Sequence, residues 1–398
     1  MRIVIINTVP YGSTGKISKN IGIKAEEIGD EVYYVYGWTK KKRRSNCKYE
    51  IIATSLISKA LHGILSNIWG LDGLFSSLST IKLIKKLKKI QPDLLHLHIL
   101  HDYFLNIKLL YKYIEESGIK VIWTFHDCWS MTGGCMYFSM SQCMGWKNGC
   151  KDCEHKKYLM KLFLNSPRLM WQIKRKGLSF IKDLTITVPS NWLKQIVNKS
   201  IYHNQTVKVI HNGIDLKVFK PCHSDFRIKH NLENNYIVLG VAFDWGIRKG
   251  LDVFIELASL LPTEYQIVLV GVTAKQKSII PNNILTIPKT SDMNELIEIY
   301  SSSDVFVNPT REEVFGMVNI EALACGIPVI MFDTDGAPES INESCGIVVK
   351  EKNAKALSQE IMRVCREKPF KKEFCIEKAK EFDESKCYAK YVELYHNI

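Results

Sequence analysis

Short apolar runs rich in β-branched residues alternate along the chain with stretches whose apolar positions have helical spacing. This pattern is typical of parallel sheets covered by helices. Two series of runs predict strands, and the alternation restarts near residue 236. The first series consists of Ile3–Ile6, Val32–Tyr36, Leu94–Leu97, Val121–Phe125 and Leu184–Val188. The second consists of Ile237–Val241, Ile267–Val270, Ile284–Ile287, Val305–Val307, Val329–Phe332 and Ile347–Val349.

The two series predict two α/β domains. Residues 209–221, between them, contain an Asn-Gly pair and a proline, which break regular structure as in a linker. We expect two doubly wound domains that face each other across a cleft, with the N-terminal domain at 1–211 and the C-terminal domain at 212–382. A last helical stretch, 383–398, has no strand after it, so we expect it to pack back on the N-terminal domain.

Composition restricts the class of protein. The 398 residues are 46% hydrophobic and 24% charged, which excludes disordered and low-complexity classes. No apolar run approaches the roughly 18 residues that a membrane-spanning helix needs. The apolar run at the N-terminus is shorter than the core of a secretory signal. We therefore expect a cytoplasmic protein.

Positive charge is concentrated in the first half of the chain. Residues 1–200 contain 31 Lys and Arg against 14 Asp and Glu, whereas residues 201–398 contain 23 against 27. Much of the excess lies in the run 40–44 and in the lysines between 82 and 89. A basic surface suits anionic lipid, nucleic acid or a phosphorylated substrate, and a solvated turn and helix face is the alternative.

Two loops after predicted strands are suited to bind phosphate. The first strand leads into a loop with Gly12 and Gly15, where backbone amides at a helix start attract an anion. A tight turn without a ligand is the alternative, and the Walker A spacing is absent. Further along, Arg248 and Lys249 precede another helix start, an arrangement that favours a diphosphate. A solvated pair of cations is the alternative, and these two residues alone do not displace it.

Three histidines follow two neighbouring predicted strands. His98 and His101 come after one strand and His126 comes directly after the next. An imidazole at the carboxyl edge of a sheet can hydrogen-bond a substrate oxygen. A purely structural role is the alternative for each. We expect His126 to be functional, and His98 and His101 to line the same wall of the cleft.

The strongest group of candidate residues lies in 308–330. A strand stops before Pro309 and a helix begins near Gly316, which places Glu313 in the loop and Glu321 on the helix. Glu313 can accept hydrogen bonds from sugar hydroxyls, and Glu321 can accept them from a ribose diol. Unpaired amides at the helix start can hold phosphate or hydroxyl oxygens, namely those of Gly316, Met317 and Val318. Two solvated carboxylates on an ordinary loop and helix are the alternative.

These motifs resemble glycosyltransferase family 4. The spacing of Glu313 and Glu321, with Phe315-Gly316 between them and Ala-Leu-Ala-Cys-Gly-Ile-Pro-Val-Ile after them, is similar to the donor-site signature of that family. His-Asn-Gly-Ile-Asp at 211–215 resembles the family's linker, and His126 falls at the position of its active-site histidine. The stretch 96–153 further resembles a bacterial subgroup near the colanic-acid and capsular-polysaccharide transferases. The likeness extends over nearly the whole chain.

The resemblance implies a retaining enzyme with two Rossmann-like domains, the GT-B architecture. Its donor would be a nucleotide-diphosphate-sugar, its acceptor a glycan or an undecaprenyl-linked sugar of a bacterial surface polysaccharide, and no catalytic metal is required. The donor-binding set then comprises Gly15, Arg248, Lys249, Glu313, Phe315, Gly316, Met317, Val318 and Glu321. Within that set, Lys249 and Gly15 would face the diphosphate, Glu313 the donor sugar and Glu321 the ribose. His126 would contact the sugar near its reacting carbon. The acceptor would be held by the N-terminal domain, with His98 and His101 on the acceptor side.

The chain departs from the family pattern at two positions. Phe243-Asp244 replaces the usual Gly-Arg, so we expect Arg248 to substitute for the missing arginine. Asp333-Thr-Asp335 has the letters of the metal motif of another glycosyltransferase architecture. Because the family commonly has Asp-Thr-Gly-Gly at this point, we interpret Asp335 as a local substitution.

Five of the twelve cysteines lie in an insertion at 128–155, where the last two form a C-x-x-C pair. Four thiolates can bind one structural Zn²⁺ tetrahedrally, those of Cys135, Cys143, Cys150 and Cys153. Disulfides are disfavoured in a reducing cytosol. The alternatives to zinc are free cysteines that only pack in the interior, and a redox-active pair.

Two other functions fit parts of the sequence. An epimerase or hydrolase of sugar nucleotides would use the same fold. A nucleic-acid-binding protein with a zinc module would use the basic half and the cysteines, but it leaves Glu313 and Glu321 without a purpose, and acidic groups repel phosphodiesters. We therefore expect no nucleic-acid partner.

A transferase that acts on a lipid-linked acceptor works at a membrane. We therefore expect it to bind peripherally to the anionic inner face of the plasma membrane through residues 61–78 and 82–89.

Overall fold

The chain divides into two compact units. The structure, a computed structural model, describes residues 1–40, 47–151, 153, 167–290 and 292–398. The first unit comprises Met1–His211 together with Cys387–Ile398, and the second comprises Asn212–Lys386. Most of the basic run 40–44 and part of the insertion 128–155 lie outside the described residues.

The first unit contains a seven-stranded parallel sheet. Its order is β3-β2-β1-β4-β5-β6-β7. The strands are β1 (Arg2–Asn7), β2 (Glu31–Tyr36), β3 (Tyr49–Ile52), β4 (Leu94–Leu97), β5 (Lys120–Thr124), β6 (Leu184–Val188) and β7 (Thr206–Val209). The two edge strands, β3 and β7, were not predicted. The other five lie within one or two residues of the predicted runs, because buried parallel strands are continuously apolar.

Helices connect these strands. They are α1 (Gly12–Glu26), α2 (Leu56–Trp69), α3 (Ser77–Ile90), α4 (Ile107–Ser117), α5 (Pro167–Leu178) and α6 (Asn191–Val197). Their ends follow local chemistry: the side chains of Ser55, Asn106 and Ser190 cap the starts of α2, α4 and α6, while Gly70 and Gly118 end α2 and α4 with left-handed backbone.

The second unit repeats the design with six parallel strands in the order β10-β9-β8-β11-β12-β13. The strands are β8 (Tyr236–Val241), β9 (Tyr265–Val270), β10 (Ile284–Ile287), β11 (Val305–Asn308), β12 (Val329–Phe332) and β13 (Gly346–Val349). The helices are α7 (Phe226–Lys229), α8 (Leu251–Leu260), α9 (Ala274–Lys277), α10 (Met293–Ser301), α11 (Met317–Ala324), α12 (Ala354–Glu367) and α13 (Lys372–Lys380). Apolar side chains pack on both faces of the sheet. The last helix, α14 (Glu384–His396), belongs to the first unit from Cys387 onward. Two parallel α/β sheets confirm the predicted fold class.

Strand order reverses at one place in each sheet, and this locates the chemistry. In the first unit the reversal lies between β1 and β4, and in the second it lies between β8 and β11. Loops that leave neighbouring strands there run to opposite faces and open a crevice at the carboxyl edge. The segments after β8 and β11 contain Lys249 and Glu313. After β1 the chain enters α1, which contains Gly15 in its first turns, and the loop after β4 contains His98.

The last residues of the chain belong to the core of the first unit. Tyr391 and Tyr395, on α14, are buried there beside Ile3, Ile5 and other residues of the sheet. The hydroxyl of Tyr395 lies 2.6 Å from Nδ1 of His96. No helix among the described residues combines the length and the apolar character needed to cross a bilayer.

Candidate functional site

The loop that carries Glu313 ends in a glycine that the backbone requires. Gly316 has φ +84° and precedes the first residue of α11. A Cβ atom at this position would lie 2.7 Å from Nδ2 of Asn319, so any larger residue would add both strain and a clash. The amides of Met317 and Val318 stand in the first turn of α11, where the helix itself supplies no acceptor.

A buried asparagine joins the start of α11 to the rest of the unit. The carboxamide of Asn319 is fully buried, accepts a hydrogen bond from Nδ2 of Asn308 at 2.8 Å and donates one to Oγ of Ser340 at 2.9 Å. Asn308 ends β11, and Ser340 ends a short 3₁₀ turn after β12. These contacts fix the loop between β11 and α11 at both ends.

Lys249 and Glu313 form an ion pair. Nζ of Lys249 lies 2.5 Å from Oε2 of Glu313, and the two side chains are 20% and 17% exposed. The cation and the carboxylate that the sequence assigned to the diphosphate and the sugar of the donor are therefore adjacent. A diphosphate that enters here would compete with Glu313 for the ammonium group, because both are anions.

Backbone contacts hold the two loops together. The carbonyl oxygen of Arg248 accepts the amide of Arg311 at 2.8 Å and the hydroxyl of Thr310 at 3.2 Å. A Cβ atom at Gly250, which has φ +74°, would lie 2.5 Å from the carbonyl oxygen of Pro309. Nη1 of Arg248 lies 3.5 Å from the carbonyl oxygen of Glu312, on the loop that carries Glu313.

The sequence indicates that Asp335 is a local substitution without a role at the site. In the structure it contacts the loop that carries Glu313. Its Oδ2 atom accepts the backbone amide of Glu313 at 3.2 Å, and the amide of Gly336 donates to the carbonyl oxygen of Glu313 at 3.1 Å. Asp335 has φ +50°, a conformation that glycine adopts without cost. The side chain of Asp335 therefore holds the backbone of Glu313 through a hydrogen bond that glycine could not make.

Two further residues of the signature have different surroundings. Glu321 is partly exposed and accepts a hydrogen bond from the buried hydroxyl of Tyr300 at 3.0 Å, which orients its carboxylate. Phe315, predicted as a donor contact, is 2% exposed, and its ring packs edge-on against Phe382. The Phe315 side chain is a core residue, so only its backbone is available to a ligand.

In the first unit, Gly12 and Gly15 lie within the first turns of α1 and not in the loop that the sequence predicted, because the helix begins at Gly12. A Cβ atom at Gly15 would lie 2.6 Å from the carbonyl carbon of Pro10, so the close approach of loop and helix requires glycine. The helix carries no acidic residue in its first turn. Its amide end is thus free of a competing carboxylate from its own sequence.

His126 and His98 touch each other directly. Nδ1 of His98 lies 2.9 Å from Nε2 of His126, and the two rings are nearly coplanar, with 14° between their planes. Burial lowers the pKa of His126 to about 4. His98, predicted to line the acceptor side, is only 2% exposed.

His101, the other predicted acceptor-side residue, is bound to two carboxylates. Its Nε2 atom lies 2.9 Å from Oδ2 of Asp127 and its Nδ1 atom lies 3.1 Å from Oδ1 of Asp102. Burial alone would lower the pKa of His101, but the two aspartates outweigh it and raise the pKa to about 10. His101 is therefore a buried cation, and its neighbour Asp127 also accepts the amide of Trp129 at 2.8 Å.

The cysteine-rich segment encloses a small cavity. The cavity, about 20 Å³ in volume, is lined by four thiols together with residues such as Phe138 and Trp146; the four are Cys135, Cys143, Cys150 and Cys153. Burial, with a smaller contribution from the other three thiols, raises the pKa of Cys135 to about 12. Among the residues whose positions are described, however, no three His, Cys, Asp or Glu side chains are already arranged as metal ligands. Zinc binding by the four thiols stays a prediction.

Family models match both units. A model described as group 1 glycosyl transferases matches residues 224–382, and a model described as glycosyltransferase family 4 matches residues 31–218. Together they cover most of the chain, in the order that the two units have. The chain belongs to the family 4 and group 1 glycosyltransferases, as its signature residues indicated.

Individual relatives agree with this assignment. The chain is 24% identical over 366 residues to WcaC of Escherichia coli (strain K12), provisionally named a colanic acid biosynthesis glycosyl transferase, with 87% of each chain covered. It is 26% identical over 164 residues to a capsular polysaccharide biosynthesis glycosyltransferase, CapM of Staphylococcus aureus, covering 38% of this chain and 43% of CapM. The chain is thus related to transferases of polysaccharide biosynthesis.

Solved structures share the fold. Sucrose-phosphate synthase from Thermosynechococcus elongatus superimposes with a TM-score of 0.73 at 19% identity, covering 100% of this chain and 98% of that one. HepE of Anabaena, solved in complex with UDP, superimposes with a TM-score of 0.71 at 14% identity over the full length of both chains. Both likenesses agree with the GT-B architecture that the sequence predicted.

We predict that the protein purified without chelator contains about one zinc ion per chain. Zn–S bonds of about 2.3 Å would draw the four sulfurs together around the cavity. The Cys143→Ser and Cys150→Ser variants should lose the metal, whereas Cys222→Ser, which changes an exposed cysteine of the second unit, should retain it. Metal analysis by mass spectrometry provides the measurement. Less than about 0.2 equivalents of zinc in folded protein would show that these thiols are packing or redox residues.

Proposed function

We propose that the protein transfers a sugar, with retention of anomeric configuration, from a nucleotide-diphosphate-sugar to a glycan or an undecaprenyl-linked acceptor in the synthesis of a bacterial surface polysaccharide. Family membership supports the transferase activity. The ion pair between Lys249 and Glu313 at the strand-order reversal of the second unit is the observation that carries the choice of donor. A relative from Campylobacter jejuni, 27% identical over 215 residues, is named for a diphospho-undecaprenol acceptor.

The donor groups follow from the charges of the second unit. Lys249 and Arg248 are cations, and the first amides of α11 have no acceptor within the helix, so this group suits a diphosphate. Glu313 then accepts hydrogen bonds from hydroxyls of the donor sugar, and Glu321, oriented by Tyr300, accepts them from the ribose. We place Gly15 of the first unit at the diphosphate as well, through the amide end of α1.

In the reaction, the bond between the anomeric carbon and the β-phosphate oxygen breaks, and the acceptor hydroxyl forms a new bond to that carbon on the same face. The acceptor proton passes to the departing phosphate oxygen. Negative charge builds on the β-phosphate as the bond breaks, so Lys249 and the helix amides stabilise the transition state more than the ground state. Their charge performs the task that a catalytic metal performs in other transferases.

The first unit supplies His126 and the acceptor side. We propose that His126 donates a hydrogen bond to the reacting sugar, because its lowered pKa keeps the imidazole neutral at pH 7. His98 and His101 are buried, so we propose that they support His126 and do not contact the acceptor themselves. His101 does so through its ion pair with Asp127, the residue after His126.

A surface on α2 and α3 supports peripheral membrane binding. Six large apolar side chains are exposed there, namely Leu56, Ile57, Leu61, Ile64, Leu78 and Ile81. Exposed lysines continue along α3 at positions 82, 85, 86, 88 and 89. We propose that this surface, the α2–α3 surface, rests on the anionic cytoplasmic leaflet, where apolar insertion and lysine charge act together.

We predict that Glu313→Gln lowers the turnover number of sugar transfer by about 100-fold or more, because the amide neither pairs with Lys249 nor orients the donor hydroxyls as a carboxylate does. Steady-state kinetics with the active donor provides the measurement. Glu343→Gln, an exposed carboxylate of the same unit, serves as the matched control and should keep full activity. Turnover near the wild-type value in Glu313→Gln would refute the assigned role.

We further predict that the protein co-sediments with anionic vesicles in low salt and is released as the salt concentration rises, since screening weakens the lysine attraction. Substituting Ile57 and Leu61 by Ser, or Lys82 and Lys86 by Gln, should weaken binding severalfold. Replacing the exposed Lys352 and Lys355 of the second unit by Gln controls for net charge. Equal sedimentation with neutral and anionic vesicles would contradict the proposal.

A further inference from the structure

His98 and His126 contact each other through their imidazole rings. His98 follows β4, while His126 follows the neighbouring β5, so the parallel pairing of these strands brings the two imidazoles together. Their ring nitrogens, Nδ1 of His98 and Nε2 of His126, lie 2.9 Å apart, within hydrogen-bond distance. The third histidine nearby, His96, uses both nitrogens elsewhere, on Tyr395 and Thr124, and does not enter this contact.

Both imidazoles are neutral near pH 7. Burial, helped by the neighbouring histidines, lowers the pKa of His98 well below its usual value, and burial lowers that of His126 to about 4. A neutral imidazole carries one proton, so one ring donates and the other accepts across the 2.9 Å contact. Either His98 donates from Nδ1, or His126 donates from Nε2.

The other nitrogen of His98 distinguishes these arrangements. Its Nε2 atom is buried and has no hydrogen-bond partner among the described residues. If His126 were the donor, the proton of His98 would sit on this Nε2 atom as a buried N–H group without an acceptor. Orphaned buried N–H donors are rarer in proteins than unpaired acceptors, so the proton of His98 belongs on Nδ1.

We propose that His98 is a positioning residue that fixes the tautomer of His126, with the proton of His126 on Nδ1. The lone pair of His126 at Nε2 is then occupied by His98, so His126 acts on a substrate as a hydrogen-bond donor through Nδ1 and not as a base. The catalytic use of that N–H rests on the proposed function, whereas the tautomer itself does not.

Nuclear magnetic resonance of the ligand-free protein tests the tautomer directly. Long-range ¹H–¹⁵N spectra of the imidazoles, with His126 assigned from its substitution, should show a protonated Nδ1 and an unprotonated Nε2 in His126. In His98→Leu the signal should move toward the Nε2–H tautomer that imidazole favours in water. An Nε2–H tautomer of His126 in the wild-type protein, or an unchanged tautomer in His98→Leu, would overturn the proposal whether or not the transfer activity is established.

Two variants separate positioning from packing. His98→Asn keeps an N–H donor near the position of Nδ1, so it should retain the Nδ1–H tautomer and a turnover number within about threefold of wild type. His98→Leu should lower turnover by about 10- to 100-fold while the donor KM changes less than about twofold. His62→Asn, at a buried histidine that contacts Ser76, is the control and should leave the tautomer of His126 unchanged. Equal loss of turnover in His98→Asn and His98→Leu would show that His98 serves packing alone. If His98→Leu fails to fold, the spectra of the wild-type protein and of His98→Asn decide the tautomer.

Discussion

The loop between β11 and α11, which carries Glu313, depends on the buried carboxamide of Asn319. This one side chain contacts the end of β11 through Asn308 and the turn after β12 through Ser340. Removing the partners of a buried amide lowers the stability of the fold by more than the hydrogen bonds themselves contribute, because the amide is left unpaired. Asn319, Asn308 and Ser340 therefore stabilise this region together. Gly316 lies directly against the amide, which leaves no room for a side chain there.

Because the loop is fixed at both ends, Glu313 is presented in one orientation, and its charge meets Lys249. The contact joins two loops that flank the strand-order reversal, where the backbone of Arg248 also binds Thr310 and Arg311. A partly exposed ion pair contributes little to stability. In the proposed function its role is different: an anionic donor group would replace Glu313 at the ammonium and leave the carboxylate for the sugar hydroxyls.

Sequence alone predicted most strands, because central parallel strands such as β1 and β12 are buried on both faces and read as continuous apolar runs. The two missed strands, β3 and β7, are at sheet edges and carry Glu50 and Lys208, and charge of this kind is typical of protected edges. Strand ends correctly placed the loops of His126 and Glu313.

Contacts between distant positions could not be predicted in the same way. Lys249 and Glu313 are 64 residues apart, and no local pattern indicates that they pair. The hydrogen bond between Asp335 and the amide of Glu313 could not be predicted either. A residue that departs from a motif does not indicate which new partner it contacts. Phe315 shows the opposite case: a position within a donor-site signature can belong to the core, which only burial reveals.

The central claim, that the second unit binds a nucleoside diphosphate through Lys249 beside Glu313, is tested most directly by calorimetric titration with nucleoside diphosphates. The account predicts that at least one binds the wild-type protein, that Lys249→Met weakens it by about 10-fold or more, and that Glu313→Gln does not weaken it, since it removes the competing anion. Equal affinities in wild type and Lys249→Met, or no binding of any nucleoside diphosphate to folded protein, would contradict it.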